Sequence, residues 1–536
     1  MPKITINEVD LTKASLQPSS TDIAFVPGLS CLSNATSDLT YCETIADFER
    51  EFGTYPAIID MYRVYNNASG AVIKEKYVIN NKETFESNFY NQIFRNSVYK
   101  RVSKYSGTLS GVTQLVLGFD SNVSESQISS YLSSCGLESA EDDFDDTGLT
   151  TIYLDFDYDM SYVYAKELIM MGVPVVYKVL EPTTTTYPDI LAAVNTYFAN
   201  SMTNPDGILD KGEYSIKYIT SGSYPSFAYT YISDTASSAS PNYWGSMAAL
   251  AKNRGDCVAL IDPADCTNDS TSRTLSSRTL SVEQMINPDN IFTVAEELCA
   301  SFDGEEYASM FAPWILYTAQ ANYVLNSSSS SVTLPQLDVV VMPPSFAYLV
   351  TLAKSVRINN NWLAVAGIAR GQVPYINGLY TSKRLSNTLA NIYQPRNGKT
   401  SINAITDIKP YGLTIWGNRT MKNNLANAMG GEDGLTATSF LNIRNMVSDV
   451  KKTAYIAAKT LMFEQNSDVL WVNFLSRVTP LLDQLMSGQG LSDYKVIKNP
   501  TNEKAKLKAT IKLYPIYAVE DFDITIELSD EDVSVI

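Results

Sequence analysis

The chain has 536 residues, more than one hydrophobic core ordinarily organises, and its 45% apolar and 18% charged residues are the balance of a folded chain of several domains. Forty basic against 58 acidic residues leave a net charge of −18, which argues against a nucleic-acid groove or an anionic membrane as the main partner. Histidine is absent, so Ser-His-Asp, Cys-His and HExxH chemistries are excluded.

In chain order, residues 1–10 alternate polar and apolar positions and lack the basic and apolar stretches of a secretory signal, so no export is expected. Within them, KITINEV (3–9) puts Ile4, Ile6 and, after a slip, Val9 toward one side, the period-two spacing of a half-buried strand. The six cysteines (Cys31, Cys42, Cys135, Cys257, Cys266, Cys299) contain no CxxC pair, which spells neither a zinc ribbon nor a thioredoxin-type site and suits a reducing compartment. Asp143, Asp145 and Gly148 have the opening spacing of a calcium loop, but Thr147 fills the fifth place and Leu154 stands where a bidentate Glu is required. A solvated acidic loop is the better reading. Asp155, Asp157 and Asp159 alternate along an expected strand and share one face, where a general acid/base pair would sit; solvent-facing strand positions explain them more simply. Among the 34 tyrosines, Tyr153, Tyr158, Tyr162, Tyr164 and Tyr177 read either as an aromatic platform or as interface packing.

Ser/Thr-rich segments at 183–186, 267–281 and 326–331 punctuate the middle of the chain. Around them, 247–252 reads as a helix end, CVALI (257–261) as a buried strand and 337–342 as another, the alternation of an α/β layer. The most apolar window, 337–356, is broken by Pro343 and Pro344 and carries Asp338 and Lys354, so it is not a membrane span. Gly398-Lys399-Thr400 resembles the end of a phosphate loop, but Tyr393 replaces the required first Gly. From Phe440 to Phe463, Leu441, Ile443, Met446, Val447, Val450, Ala454, Ile456, Ala457 and Leu461 recur at helical spacing, with Thr436 and Thr438 as candidate caps. A second helix opens at Asn466 or Ser467 and stops at Gly488, with Pro480 inside it; the Gly488-Gln489-Gly490 pair is read as that stop. The short connection favours an antiparallel helical hairpin, packed on the sheet that holds the C-terminal strand. That strand is VEDFDITIEL (519–528), where Phe522, Ile524, Ile526 and Leu528 alternate with polar residues; only eight residues follow, and Pro515 sits just upstream. Both ends therefore read as strands whose partners lie elsewhere, in another copy or in their own domain; periodicity does not separate the two. No catalytic residue, metal site or cofactor is expected.

A series of motifs resembles the contractile tail sheath proteins of bacteriophages and related contractile injection systems. It runs through Pro343-Pro344-Ser345, then WLAVAGIARG (Trp362, Gly367, Arg370, Gly371), INAI (Asn403), and YGLTIWGNRT (Trp416, Gly417, Arg419, Thr420). It continues in the helix opening FLNIR (440–444), and in Phe463, Glu464 and Asn466 ahead of Leu470 and Trp471. The ordered series covers 340–528; thinner matches are TDIAFVPG (21–28), DFEREFG (47–53), ALIDP (259–263), APWI (312–315) and the helix and strand over 161–180. Phe346 is a departure, since relatives usually have Gly there.

The resemblance implies an α+β multidomain subunit: a sheath core of sheet plus helical hairpin, an α/β subtilisin-like middle domain without protease chemistry, an inserted outer domain and extended terminal β-arms. The expected sections are an N-terminal arm (1–25), a first core segment (26–56), an inserted domain (57–150), a second core segment (151–188), a middle domain (189–340), a C-terminal core (341–515) and a C-terminal arm (516–536). It further implies a homo-oligomer of stacked hexameric discs forming a helical sheath. The implied partners are tail tube, baseplate and tail terminator or neck proteins, with no direct nucleic acid and no membrane insertion, and the location is the virion after assembly in host cytoplasm. Arg444, Lys451 and Lys452 are unusual cations in an acidic chain and read either as tube-facing or as a solvated helix face. A phage-derived injection sheath is the near alternative; a surface-array or adhesin protein and a His-free glycosidase are the alternatives from other classes.

Overall fold

A computed structural model describes residues 23–30, 38–52, 160–180, 187–204, 207–224, 244–263, 303–318, 320, 340–358, 362–379, 401–422 and 435–520, with the backbone of six strands between 62 and 156. β1 (Ala24–Gly28) is buried along its whole length, as a strand covered on both faces must be. β2 (Thr40–Cys42) leads into α1 (Ile45–Phe52), where Thr44 accepts the Asp47 N–H at 3.1 Å and so caps the first turn. Phe48 and Phe52, four apart, form the buried face of α1.

Residues 62–156 build a separate sheet from β3 (Tyr62–Asn66), β4 (Val72–Lys74), β5 (Tyr77–Ile79), β6 (Lys100–Ser103), β7 (Thr113–Phe119) and β8 (Thr150–Phe156). Its order is β4-β3-β7-β8-β6, with β5 parallel to β7. The last strand thus ends at Phe156, beyond residue 150. Asp155 lies on β8 in register with Arg101 and Gln114, while Asp143, Asp145, Asp157 and Asp159 lie outside the described residues.

The chain returns through α2 (Met160–Met170) to β9 (Val175–Val179), then α3 (Tyr187–Ser201), β10 (Tyr218–Ile219), α4 (Trp244–Arg254), β11 (Val258–Ile261) and β12 (Ala308–Ala312). β13 (Ile315–Tyr317), β14 (Val340–Met342) and β15 (Ile376–Leu379) make a small antiparallel sheet, and α5 (Pro344–Ile358) and α6 (Gly367–Arg370) lie between its last two strands in sequence. β16 (Ile402–Ile408) and β17 (Gly412–Trp416) follow.

The main sheet has eight strands in the order β17-β16-β12-β11-β10-β1-β9-β2, parallel from β9 to β16 and antiparallel only at its two edge strands. Alternate residues feed two cores: Phe25, Val176, Ile219, Ala259 and Met310 on one face, and Ala24, Val26, Val175, Tyr218 and Phe311 on the other. Tyr162, Tyr164 and Tyr177 belong to the second core, so these three are interior packing and not a surface platform. The described thiols, Cys42 and Cys257, are buried too, and burial pushes both up to about 12.

α7 (Leu441–Thr460) and α8 (Asp468–Ser487) lie where helical periodicity places them. Thr436 caps the short 3-10 turn Ala437–Ser439 through a reciprocal box with Ser439, and α7 itself starts at Phe440 without a side-chain cap. Ser467 precedes α8, Pro480 lies inside it and Gly488 ends it. β18 (Leu491–Asn499) and β19 (Lys508–Pro515) then form an antiparallel hairpin that closes a third core with α7, α8 and Trp362. Residues 516–520 continue as irregular chain; Ile4, Ile6, Val9, Phe522, Ile524, Ile526 and Leu528 lie outside the described residues.

Candidate functional site

Most motif residues gather at three polar junctions, one fastening α5 to the main sheet and two tying the helical hairpin and its flanking segments to the rest of the subunit. At the first, Pro343 and Pro344 lead into α5 and aim Ser345 at the end of β11. Ser345 N–H donates to Asp262 Oδ1 at 2.7 Å, Ser345 Oγ to Asp262 Oδ2 at 2.6 Å, and the Tyr164 hydroxyl lies 2.9 Å from Ser345 Oγ. A carboxylate at a helix N-terminus is favourable, yet this one is sealed from water, and desolvation pushes its pKa up to about 7 against the lowering effect of the Ser345 bonds. Strand C-termini of parallel sheets are common ligand sites, but Asp262 and Ser345 are both fully buried, so the trio works as an internal clip. Phe346 fills the adjoining core, edge-on to Tyr164 (5.5 Å) and Tyr317 (4.7 Å), and its N–H bonds Pro343 O at 3.1 Å. The departure from glycine at this position is absorbed by packing.

The second junction centres on Asn403 of β16. Its amide nitrogen lies 2.9 Å from Ser309 Oγ, 3.1 Å from Met310 O and 2.8 Å from Arg419 O, while its amide oxygen accepts the Arg419 N–H at 2.8 Å. One side chain thereby pins the segment leaving β17, where Trp416 pairs with Ala404 and Gly417 follows, to β12. Thr420 extends the seam, its N–H bonding Ser439 O at 3.0 Å and its hydroxyl Thr438 O at 2.8 Å. Arg419 itself reaches Glu520, donating from Nε at 3.0 Å and also from Nη2, and its guanidinium stacks 4.7 Å over Phe440.

At the third junction Trp362 donates from Nε1 to Gly488 O at 2.8 Å and its carbonyl accepts from Asn442 Nδ2 at 3.1 Å. A Cβ at position 488 would lie 2.2 Å from an indole carbon and one at 490 would lie 2.7 Å from another, so this glycine pair both ends α8 and makes room for the ring. Gly367 has φ +74 and a Cβ on Gly371 would lie 2.7 Å from Ile415 O; Arg370 Nε bonds Ala364 O at 2.9 Å. Glu464 is exposed in the α7–α8 turn, Asn466 Nδ2 donates to Lys504 O at 3.0 Å in the β18–β19 turn, and Trp471 stacks on Phe474 at 5.9 Å.

Of the three cations expected on a tube-facing or solvated helix face, Arg444 and Lys452 are turned inward, while Lys451 is exposed and bonds across to neighbouring segments. Arg444 is 4% exposed, with its guanidinium 4.1 Å over the Tyr307 ring, and burial lowers its pKa. Lys452 is 6% exposed and donates to Ser215 O at 3.1 Å; desolvation brings it down to about 8. Lys451 donates to Gly255 O at 2.8 Å and Tyr307 Oη at 3.0 Å. Long basic stems bury against apolar surface while their heads find carbonyls, and a helical wheel does not reveal that α7 lies against residues 207–217 and 254–256. The same contact contains pairs that sequence reasoning missed, Lys217–Asp449 at 3.1 Å, which joins residues far apart in sequence, and Arg254–Asp256 at 2.9 Å, two residues apart.

Among the described residues no group of three or more Cys, Asp or Glu could hold a metal ion, and no helix is long and apolar enough to cross a membrane. The β18–β19 hairpin presents an unpaired outer edge on each strand among the described residues. It is two-stranded among the described residues, backed on one face by α8 through Tyr494, Val496, Ile511 and Leu513, while Ile497, Tyr514, Ile516, Tyr517 and Val519 are exposed.

No family model matches the chain. The tail sheath protein of Vibrio phage KVP40 is 25% identical over 146 residues, which are 27% of this chain and 19% of that protein, so the chain matches about a fifth of that relative's length. A chain of the anti-feeding prophage baseplate in its contracted state superposes with a TM-score of 0.51 over 99% of both chains at 15% identity. A chain of the PVC sheath complex, an extracellular contractile injection system in its contracted state, gives a TM-score of 0.41 over 88% of this chain and 95% of that one, at 12% identity. The chain resembles contractile tail sheath proteins, and its mixed α/β fold is one found in contractile injection machines.

Proposed function

We propose that this chain is the structural subunit of a contractile sheath, of a phage tail or of a phage-derived injection system, and not an enzyme. The observation that carries this reading is the C-terminal hairpin. A two-stranded ribbon is marginal by itself, and β18 and β19 both present an outer edge with no third strand among the described residues, while the main sheet is buried on both faces and ends in antiparallel edge strands. Added strands from neighbouring copies fit such a ribbon, because backbone bonds supply affinity and alternate side chains set register. The terminal segments with Ile4, Ile6 and Val9 and with Phe522, Ile524, Ile526 and Leu528 have that alternation.

In this reading subunits stack as hexameric discs around a tail tube, bounded by a baseplate and a terminator, and contraction moves the bodies rigidly while the exchanged arms keep neighbours attached. New contacts between complementary faces, each small, sum over many copies to drive the tube through the host envelope and deliver the genome or other cargo. The outward body is the six-stranded sheet within 62–156, inserted into a core formed with the α/β middle domain. The particle is a virion tail or injection device, assembled in the producing cell. Electron microscopy of the purified protein tests this: striated cylinders are expected, and a flat lattice or monodisperse particles at high concentration refute it.

A further inference from the structure

Residues 516–520 carry the chain from the hairpin toward its last sixteen residues, and they are held at three points. Ile516 N–H donates to Gly490 O at 3.1 Å, which ties the exit to the turn between α8 and β18. Tyr517 stands edge-on to Phe440, ring centroids 5.2 Å apart. Glu520 receives Arg419 on both carboxylate oxygens. Between these contacts Val519 is 68% exposed, so its own burial does not hold the path.

Arg419 is built as an anchor. Its side chain is 2% exposed and rests on the same Phe440 ring that Tyr517 touches, and its backbone is gripped by Asn403 through both N–H and C=O. Its Nη1 has no hydrogen-bond partner among the described residues, which leaves Glu520 as the described acceptor for this buried charge. A planar, doubly bonded guanidinium fixes the angle of its carboxylate as well as its distance.

We infer that Arg419 is the positioning residue of the C-terminal segment: it clamps Glu520 and thereby sets where, and in which direction, residues 521–536 leave the subunit. The inference rests on the arm-exchange reading. It places the origin of the exchanged span after Glu520 instead of at Ile516, which takes five residues, about 17 Å of extended reach, out of the tether. The clamp shortens the tether and makes each neighbour's position depend on the rigid body that holds Arg419.

The test uses the chain with Glu520→Ala and Glu520→Gln, at a side chain that is 23% exposed, and a truncation after Glu520. In the unassembled subunit, hydrogen exchange of the Ile516 amide, the one N–H of this segment with a described acceptor, is expected to accelerate about tenfold or more in Glu520→Ala and less in Glu520→Gln, with 491–515 unaltered. Yield of regular cylinders is expected to fall about tenfold in Glu520→Ala and equally in an Arg419→Met/Glu520→Ala double variant, which removes the unpaired buried charge and so separates loss of the clamp from loss of fold stability. Unchanged exchange, or faster exchange with normal cylinders, overturns the clamp. Normal cylinders from the truncated chain overturn the arm-exchange reading, whatever the exchange data show.

Discussion

Gly488→Ala is the sharpest probe of how the helical hairpin is joined to the rest of the subunit. The added methyl would lie 2.2 Å from Trp362 Cζ2, 2.9 Å from Cε2 and 3.1 Å from Gln484 O, so the indole must retreat by about 1 Å before contact is ordinary. That retreat stretches the Trp362 Nε1–Gly488 O bond of 2.8 Å and disturbs the Asn442–Trp362 bond of 3.1 Å. Overpacking costs about 1–3 kcal/mol and each weakened hydrogen bond about 1 kcal/mol, so a loss of about 3 kcal/mol is expected. Urea unfolding followed by tryptophan fluorescence measures it. Gly245→Ala is the control: it lies in α4 with nothing within 4 Å of its added Cβ, and the better helix propensity of alanine should leave stability equal or higher by up to about 1 kcal/mol. In a Trp362→Leu background, which removes the clashing ring, Gly488→Ala should cost under about 1 kcal/mol. A Gly488→Ala variant within about 0.5 kcal/mol of the parent, or equal costs with and without the indole, would show that the ring is not what excludes a side chain there.

Three further perturbations address the junctions. Asp262 titrates at about 7 when folded and near 3.8 when exposed, so the unfolded chain releases its proton first; stability should be fullest below about pH 4 and fall by about 4 kcal/mol as pH rises through about 7, a slope that Asp262→Asn removes in denaturation series across pH. Identical slopes in the two proteins would contradict the buried clip. Asn403→Ala strips partners from Ser309 and from the Arg419 backbone and should destabilise by about 2–4 kcal/mol, visible as a lower thermal midpoint; a midpoint unmoved would mean the seam is held otherwise. Lys217→Met takes the ammonium from Asp449 in a buried pair and should cost about 3 kcal/mol, largely recovered when Asp449→Leu is added; a double mutant no better than the single would argue against pairing as the cause.

Legibility in the sequence differs by element. α7 and α8 are readable to within a few residues because their apolar positions recur at helical spacing over five turns each, and Gly488 reads as a stop because the helix ends there. Gly488 and Gly490 also make room for Trp362, a reason more than a hundred residues away in sequence and invisible locally. Arg444, Lys451 and Lys452 are legible as cations on a helix, but which side of α7 meets the sheet depends on residues 207–217 and 254–256, far upstream.

The amino-acid order alone determined where the long C-terminal helices lie, that histidine-based catalysis is impossible, and that a motif series over 340–528 resembles sheath proteins, since these depend on spacing and residue chemistry along the chain. The tertiary structure decided that β1, β9, β10, β11, β12 and β16 lie side by side in parallel, that Asp262 is capped by a serine eighty-three residues on, and that Arg419 meets Glu520 across the C-terminal core. Parallel pairing and buried ion pairs join segments through space, and short apolar strands such as VALI and ASMFA carry no mark that selects one neighbour over another until both faces of the sheet are packed.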